Sequence, residues 1–144
     1  MTDIQSAIGL TQLNKLSIIV EKKLRILSTY KELLKNNTSI KIIEPLTDKS
    51  NHLPFRVCII TLNEKNQKLS ECLKKNNIET RTFFYPLHKQ PYYKTLNKNL
   101  EQQSNDNFFS KSLYYYDHGI CLPSYPELTN EEIEYICKII NTFK

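Results

Sequence analysis

The stretch FRVCIITLNEKNQKLSECLKKNNIETRTFF, residues 55–84, decides the fold because it changes from strand to helix and back to strand. A β-branched run within Leu53–Leu62 predicts the first strand. Leucine and cysteine then recur at helical spacing over residues 64–76, where two asparagines end the helix. Ile78–Phe84 predicts the second strand. A helix between two strands indicates a crossover unit, so the predicted fold class is α+β, with helices packed on a small mixed sheet.

A long helix is predicted before this unit. Thr2 stands three residues before Gln5 in a capping-box arrangement, and the first proline is Pro45, so the helix covers about residues 3–35. Its apolar residues change sides near Gly9, whereas a helix against a single core keeps one stripe. Its first turns are therefore expected to pack on something outside this chain. The alternative is that the chain's own loops bury them.

The C-terminal part continues the same kind of fold. Phe108–Tyr116 predicts a short aromatic helix, and Gly119–Leu122 a short strand. Thr129 and Glu132 form a second capping box, which begins a last helix with one apolar stripe. Internal repeats and flexible linkers are absent from the sequence, so residues 1–144 are predicted to form one domain.

Composition narrows the classes of partner. Apolar residues make up 40% of the 144-residue chain and charged residues 24%, enough for a hydrophobic core. The net charge is +5, but the cations are mostly lysines scattered along the chain, so no nucleic-acid partner is expected. The apolar runs are far shorter than the roughly 20 residues that span a bilayer, and no secretory signal is present. These features predict a cytoplasmic protein without a membrane partner.

Cysteine and glycine usage excludes several kinds of site. The four cysteines are widely separated and form no CxxC pair, so a metal site is not predicted. They are interpreted as small core residues of a protein in a reducing compartment. Gly9 and Gly119 are the two glycines of the sequence. Walker loops and dinucleotide fingerprints need glycines bunched at the phosphate, so such phosphate-binding loops are excluded.

The densest cluster of reactive side chains lies at the end of the second strand and in the loop after it, residues 85–93. It comprises Glu79, Arg81, Tyr85, His88, Gln90, Tyr92 and Tyr93. Arginine presents a forked donor to phosphate or carboxylate, tyrosine stacks and hydrogen-bonds, and histidine exchanges a proton near neutral pH. The cluster therefore suits a polar, anionic ligand. In the alternative interpretation, Arg81 pairs with a nearby carboxylate and His88 is a surface or supporting group.

Three segments carry a family resemblance, and they occur in the family's order. They are MTDIQSAIGL at residues 1–10, IETRTFFYPLHKQP at residues 78–91 and GICLPSYPELT at residues 119–129. Together they resemble the C-terminal small domain of the PLP-dependent sugar-nucleotide aminotransferases, the DegT/DnrJ/StrS group. The second segment is most similar to that of perosamine synthases. The resemblance covers nearly the whole chain and implies the small-domain fold of the fold-type-I aminotransferases.

The resemblance also implies what this chain does not carry. In the family, a large domain precedes the segment that matches residues 1–3, and it holds the Schiff-base lysine and the phosphate cup for PLP. No catalytic, cofactor-binding or metal-binding residue is therefore expected here, and PLP belongs to the complete enzyme. By position, Arg81, Tyr85 and His88 are the residues expected to bind the nucleotide sugar through orientation and charge complementarity.

The expected function follows from that division. The small domain walls one side of the substrate cleft, packs on the large domain and contributes to a homodimer. The chain is expected to be a truncated or split gene product that is inactive alone, with the large domain supplied by the same or a separate polypeptide. The alternative is a stand-alone module that binds a nucleotide sugar or a protein partner without enzymatic activity. A nonfunctional remnant is the third interpretation.

Overall fold

A computed structural model describes residues 1–44, 52–92 and 107–143. Its helices are α1 (Asp3–Leu13), α2 (Leu16–Leu34), α3 (Asn66–Lys75), α4 (Ser110–His118) and α5 (Asn130–Thr142). Its strands are β1 (Ile40–Ile42), β2 (Val57–Thr61), β3 (Arg81–Thr82) and β4 (Gly119–Leu122), and a 3₁₀ turn covers Leu87–Lys89. The predicted α+β class is confirmed. Over these ranges, no helix combines the length and the apolar character needed to cross a bilayer.

The sheet has the strand order β1-β2-β4-β3, and every neighbouring pair is antiparallel. The sheet is therefore antiparallel, whereas the sequence predicted a mixed sheet. The predicted crossover from β2 through α3 to β3 is present, and β2 and β3 run in the same direction. However, β4 lies between them and pairs with both, which makes a split β-α-β unit.

The hydrophobic core lies between one face of the sheet and the helices. Ile59 of β2 and Ile120 of β4 are paired across the strands, and both are fully buried. Helices α2 and α5 pack against each other over this face, each contributing one buried apolar stripe. Full burial of a side chain of this size contributes about 1.5–3 kcal/mol. Because Ile59 and Ile120 face the helices, the residues next to them along β2 and β4 point away from the helices.

The long N-terminal helix predicted over about residues 3–35 is broken. Lys15, with φ −96° and ψ 0°, separates α1 from α2. Helix α2 buries four side chains, while α1 buries none. Ile4 and Ile8 are 75% and 60% exposed. The described loops of this chain therefore do not bury α1, and packing of α1 on another partner stays a prediction.

Helix α3 ends as the sequence predicts, with a left-handed asparagine. Asn77 has φ +60°, and its amide donates to the carbonyl of Lys74 at 3.0 Å. The amide of Ile78 donates to the carbonyl of Leu73, also at 3.0 Å, which completes a Schellman motif. Leu73 and Ile78 are both buried. This hydrophobic contact turns the chain from α3 toward β3.

Both strands of the split unit are shorter than predicted. The first was predicted within Leu53–Leu62 and the second as Ile78–Phe84, whereas β2 has five residues and β3 has two. In the described sheet, β3 pairs only with Cys121 and Ile120 of β4, so pairing limits its length. Phe84 is 99% exposed beyond the end of the strand. The last residue of the predicted loop, Tyr93, lies outside the described residues.

The two predicted capping boxes are present, and they allow a matched prediction. We expect Thr129→Ala to lower the free energy of unfolding by about 1 kcal/mol, because α5 is packed in the core and loses its N-terminal hydrogen bond from Glu132. We expect Thr2→Ala, at the same capping position of α1, to leave global stability unchanged because α1 buries no side chain. Urea unfolding followed by circular dichroism measures both. Equal destabilisation by the two changes would contradict an unpacked α1.

Candidate functional site

A groove of about 870 Å³ opens beside β3 and β4, on the side of the strands that carries Arg81 and Cys121. The segment after β4 and the start of α5 form its other wall. The residues that line it include Lys23, Phe55, Arg56, Asn77, Glu79, Thr80, Arg81, Cys121, Pro123, Ser124, Tyr125, Glu131 and Tyr135. We call this region the groove. It is the place where the split sheet presents charged and aromatic groups together.

The charges in the groove are mixed in sign. Arg56 and Arg81 contribute guanidinium groups, and Glu79 and Glu131 contribute carboxylates. Arg81 lies 3.5 Å from Glu79, and both side chains are largely exposed. Such an exposed ion pair contributes at most about 1 kcal/mol, so it does not commit Arg81 to a structural role. The guanidinium remains available for an anionic group that enters the groove.

Lys23 has a structural role at the edge of the groove. Its Nζ donates to the carbonyl of Phe55 at 2.9 Å and to the carbonyl of Ser124 at 2.6 Å. Burial, together with the nearby Arg56, lowers the pKa of this amine. Because its hydrogen bonds join α2 to the segments flanking β2 and β4, we assign Lys23 to holding the groove wall in place.

Tyr85 and His88 lie away from the groove, against α4. The Tyr85 ring meets the Tyr116 ring edge-on, with centroids 5.2 Å apart. His88 is only 6% exposed and stacks on Phe109 at 4.5 Å. Of the three predicted site residues, the structure thus places Arg81 in the groove and the other two on the aromatic side of α4.

The loop that carries Tyr85 and His88 also exposes large apolar side chains. Phe84 is 99% exposed, Leu87 is 75% exposed and Tyr92 is 73% exposed. The 3₁₀ turn is closed by the amides of Lys89 and Gln90, which donate to the carbonyls of Pro86 and Leu87 at 3.0 Å. The turn is therefore ordered locally while its apolar side chains point outward.

The neighbouring acid and histidine at the end of α4 have structural contacts. Asp117 forms an ion pair with Lys65 at 2.8 Å. His118 stacks on Tyr114, and its Nδ1 lies 2.9 Å from the carbonyl oxygen of Thr61. The two side chains therefore contact different elements and do not form a paired acid and base.

The described residues do not fit PLP. A lysine that binds this cofactor needs an enclosed site, whereas every described lysine is exposed or half-buried. The half-buried Lys23 already donates to two carbonyls. Gly9 lies within α1, and Gly119 faces Phe83 and Tyr115, so neither glycine belongs to a phosphate-binding loop. In the described ranges no group of histidine, cysteine and acidic side chains could hold a metal ion.

Sequence reasoning missed three residues in or beside the groove, namely Arg56, Cys58 and Cys121. Arg56 precedes β2 and was not selected, although residues 56, 58 and 60 alternate with the buried side of that strand. Cys58 and Cys121 were interpreted as core residues, but both are half-buried and lie next to each other. The period of two along β2 could have placed Arg56 and Cys58 on one face. The neighbouring position of Cys121 depends on strand register, which the sequence does not reveal.

Comparison with known proteins places this geometry in a family. The profile of the DegT/DnrJ/EryC1/StrS aminotransferase family matches residues 1–141. This chain belongs to that family. Among family relatives, the GDP-perosamine synthase of Escherichia coli O157:H7 is 34% identical over 144 residues, covering 99% of this chain and 36% of the relative. The GDP-perosamine synthase of Vibrio cholerae is 30% identical over 146 residues and covers 99% of this chain and 37% of the relative.

Solved structures of aminotransferases share the fold. Spr1654 from Streptococcus pneumoniae, solved in PLP and PMP forms, matches with TM-scores of 0.85 and 0.86 at 21% identity. The match covers 99% of this chain and 35% of Spr1654. PseC of Helicobacter pylori matches with a TM-score of 0.80 at 23% identity, over 97% of this chain and 36% of PseC. The chain thus spans little more than a third of the length of these proteins.

Proposed function

We propose that this chain is the substrate-cleft and dimerisation domain of a PLP-dependent nucleotide-sugar aminotransferase. The cofactor is bound by a large domain, in the same or a separate polypeptide, and the 144 residues alone do not transaminate. The observation that carries the proposal is that 99% of this chain matches about a third of the Spr1654 structure, while no described lysine is enclosed. A cytoplasmic location is part of the proposal, because the four cysteines are widely separated in the sequence and form no CxxC pair.

Two exposed apolar surfaces support a large-domain partner. Helix α1 buries none of its own side chains, and Ile4, Ile8 and Leu13 are at least 60% exposed. The loop after β3 exposes Phe84 and Leu87. Large exposed apolar side chains in one region are typical of surfaces that pack on a partner. The first of these surfaces is α1, and the sequence predicts that its first turns pack on a partner outside this chain.

The site residues act by binding rather than by covalent chemistry. Arg81 projects into the groove, where its guanidinium complements an anionic group of a nucleotide sugar. Tyr85 and His88 hold the loop against α4 through their ring contacts with Tyr116 and Phe109. We propose that this packing fixes the loop so that its outward face borders the cleft of the complete enzyme. The chemical step belongs to groups of the large domain.

The second candidate function is a binding module that needs no large domain. The groove favours it, because its volume of about 870 Å³ lies within the range of small-molecule sites and it is formed by this chain alone. Calorimetry with nucleotide sugars distinguishes the two functions. Tight binding by the isolated chain, abolished by Arg81→Gln, favours the module, whereas binding only after addition of a large domain favours the enzyme domain.

The first test uses the full chain with PLP and borohydride. We expect only partial labelling spread over several exposed lysines, because no described lysine has an enclosed site that would favour one Schiff base over the others. Intact mass spectrometry after reduction measures the outcome. Stoichiometric labelling of one lysine by PLP, with the others unmodified, would overturn the proposal.

A chimera tests the positive half of the proposal. The region of the E. coli perosamine synthase that precedes its matching segment is joined to this chain, and formation of GDP-perosamine is measured. We expect activity, and we expect Arg81→Gln to raise KM about tenfold or more, since a charged hydrogen bond contributes about 1.5–3 kcal/mol. Lys111→Gln, an exposed change on α4, is the matched control. A soluble, PLP-loaded chimera without activity would count against the proposal.

A further inference from the structure

Two thiols lie side by side on the face of the sheet that points away from the core helices. Cys58 of β2 and Cys121 of β4 are directly opposite each other in the strand register, and their Sγ atoms are 3.8 Å apart. Both cysteines are free and half-buried, and Cys121 lines the groove. The other two described cysteines do not share this arrangement, because Cys72 lies on α3 and Cys137 lies in the core. The pair is therefore specific to the β2–β4 contact.

The backbone geometry of the pair suits a cross-strand bond. The carbonyl of Cys58 accepts a hydrogen bond from the amide of Ile43, on the β1 side, so its backbone groups point away from β4. Cys58 and Cys121 are thus a non-hydrogen-bonded pair, in which the Cα atoms are about 4.5 Å apart and the side chains are close. Disulfides form between Cα atoms about 4.4–6.8 Å apart. The separation of such a pair therefore lies within the range at which a disulfide can form.

The charges around the pair make the two thiols unequal. A hydrogen bond from Cys58 and the nearby Arg56 guanidinium lower the pKa of Cys121. The same hydrogen bond, together with burial, raises the pKa of Cys58. Lys23 and Arg81 add positive charge along the groove, and Glu79 and Glu131 add negative charge. Cys121 is therefore the nucleophilic partner, since the thiolate is the reactive form and it is the one that faces the groove.

We propose that Cys58 and Cys121 are a redox-active pair that low-molecular-weight disulfides, such as oxidised glutathione, convert reversibly to a cross-strand disulfide. In the first step the Cys121 thiolate attacks one sulfur of the oxidant, forming a mixed disulfide and releasing one glutathione thiolate. Cys58 then loses its proton and attacks the Cys121 sulfur, which releases the second glutathione. The pair loses two electrons and two protons, and one oxidised glutathione becomes two reduced ones. Excess reduced glutathione reverses both steps.

The test uses the full chain equilibrated in glutathione buffers of graded oxidation. Remaining thiols are alkylated in acid-quenched samples, and intact mass and peptide mapping are measured. We expect a species that has lost two hydrogens, with a peptide linked through Cys58 and Cys121, and with Cys72 and Cys137 still alkylated. Reduced glutathione restores the dithiol. A linkage to Cys72 or Cys137, or glutathione adducts without any internal linkage, would overturn the proposal.

Single variants separate the roles of the two thiols. Cys58→Ser leaves Cys121 without its resolving partner, so we expect a stable adduct of one glutathione at Cys121. Cys121→Ser is expected to react at least tenfold more slowly, because the remaining thiol does not line the groove and its burial still raises its pKa. Cys72→Ser, at a half-buried cysteine outside the pair, is the control and should form the cross-strand link as wild type does. The wild-type peptide map does not depend on the variants, so the proposal is still tested if a variant misfolds.

Discussion

Replacing Gly119 by alanine is expected to destabilise the chain by about 3 kcal/mol, the upper end of the usual range for a methyl group added to a packed site. A Cβ at this position would lie 2.5 Å from the carbonyl oxygen of Tyr115 and 2.6 Å from the ring of Phe83. The backbone at Gly119 is extended, with φ −82°, so the cost arises from contact and not from the dihedral angle. Urea unfolding followed by circular dichroism measures the change.

Gly9 supplies the matched control, because the sequence contains no third glycine. Apart from its chain neighbours and the nearby backbone of α1, no atom of the described residues lies within 4 Å of a Cβ built at Gly9. Gly9→Ala should raise the helical signal, since alanine favours an exposed helix by about 1 kcal/mol. It should leave the global unfolding transition in place. A Gly119→Ala variant as stable as wild type would contradict the close packing between the end of α4 and the start of β4.

Tyr30 is the second position with a large expected effect. It is fully buried on α2, and its hydroxyl donates to the carbonyl of Pro123 at 3.0 Å. We expect Tyr30→Ala to cost about 3–5 kcal/mol, as for other large aromatic truncations in cores. Tyr30→Phe keeps the ring and loses only the hydrogen bond, for about 1 kcal/mol. Tyr135→Ala, at a position that is 49% exposed on α5, is the control and should change stability by less than either.

The same tyrosine predicts a dependence on alkaline pH. Burial, with smaller contributions from Cys137 and Tyr125, raises the pKa of Tyr30 well above its ordinary value. Its neutral form is therefore favoured in the folded state, and stability is lost as the pH rises above about 10, where the unfolded tyrosine ionises. After correction for its lower stability at pH 7, Tyr30→Phe should lose stability at a higher alkaline pH than wild type does. An unchanged alkaline profile would show that another group controls it.

The parts of the fold that the sequence predicts are those set by local interactions. The capping boxes at Thr2 and Thr129 and the left-handed Asn77 each depend on a few neighbouring residues, and all three are confirmed. The break at Lys15 was missed because no proline or glycine marks it. The antiparallel sheet was missed because the insertion of β4 between β2 and β3 brings together segments far apart in sequence.

The candidate site shows the same division between local and distant information. The composition of the loop marked Tyr85 and His88 as exceptional, but their ring contacts with Tyr116 and Phe109 depend on where α4 packs. Arg81 could be placed at a strand end from the sequence. The separation of Arg81 from Tyr85 and His88 could not be predicted. Arg81 and Thr82 point to opposite faces of β3, and only the assembled sheet shows which face forms the groove.

The position of β4 also sets an order of events during synthesis. In the described sheet β3 pairs only with β4, and β4 provides the contact between β2 and β3. On the ribosome, β2 and β3 are synthesised well before residues 119–122, which form β4. Until then one edge of β2 and the whole of β3 lack their hydrogen-bonding partner, and such edges pair readily with other chains. Closure of the sheet is therefore a late step that the nascent chain cannot complete before β4 emerges.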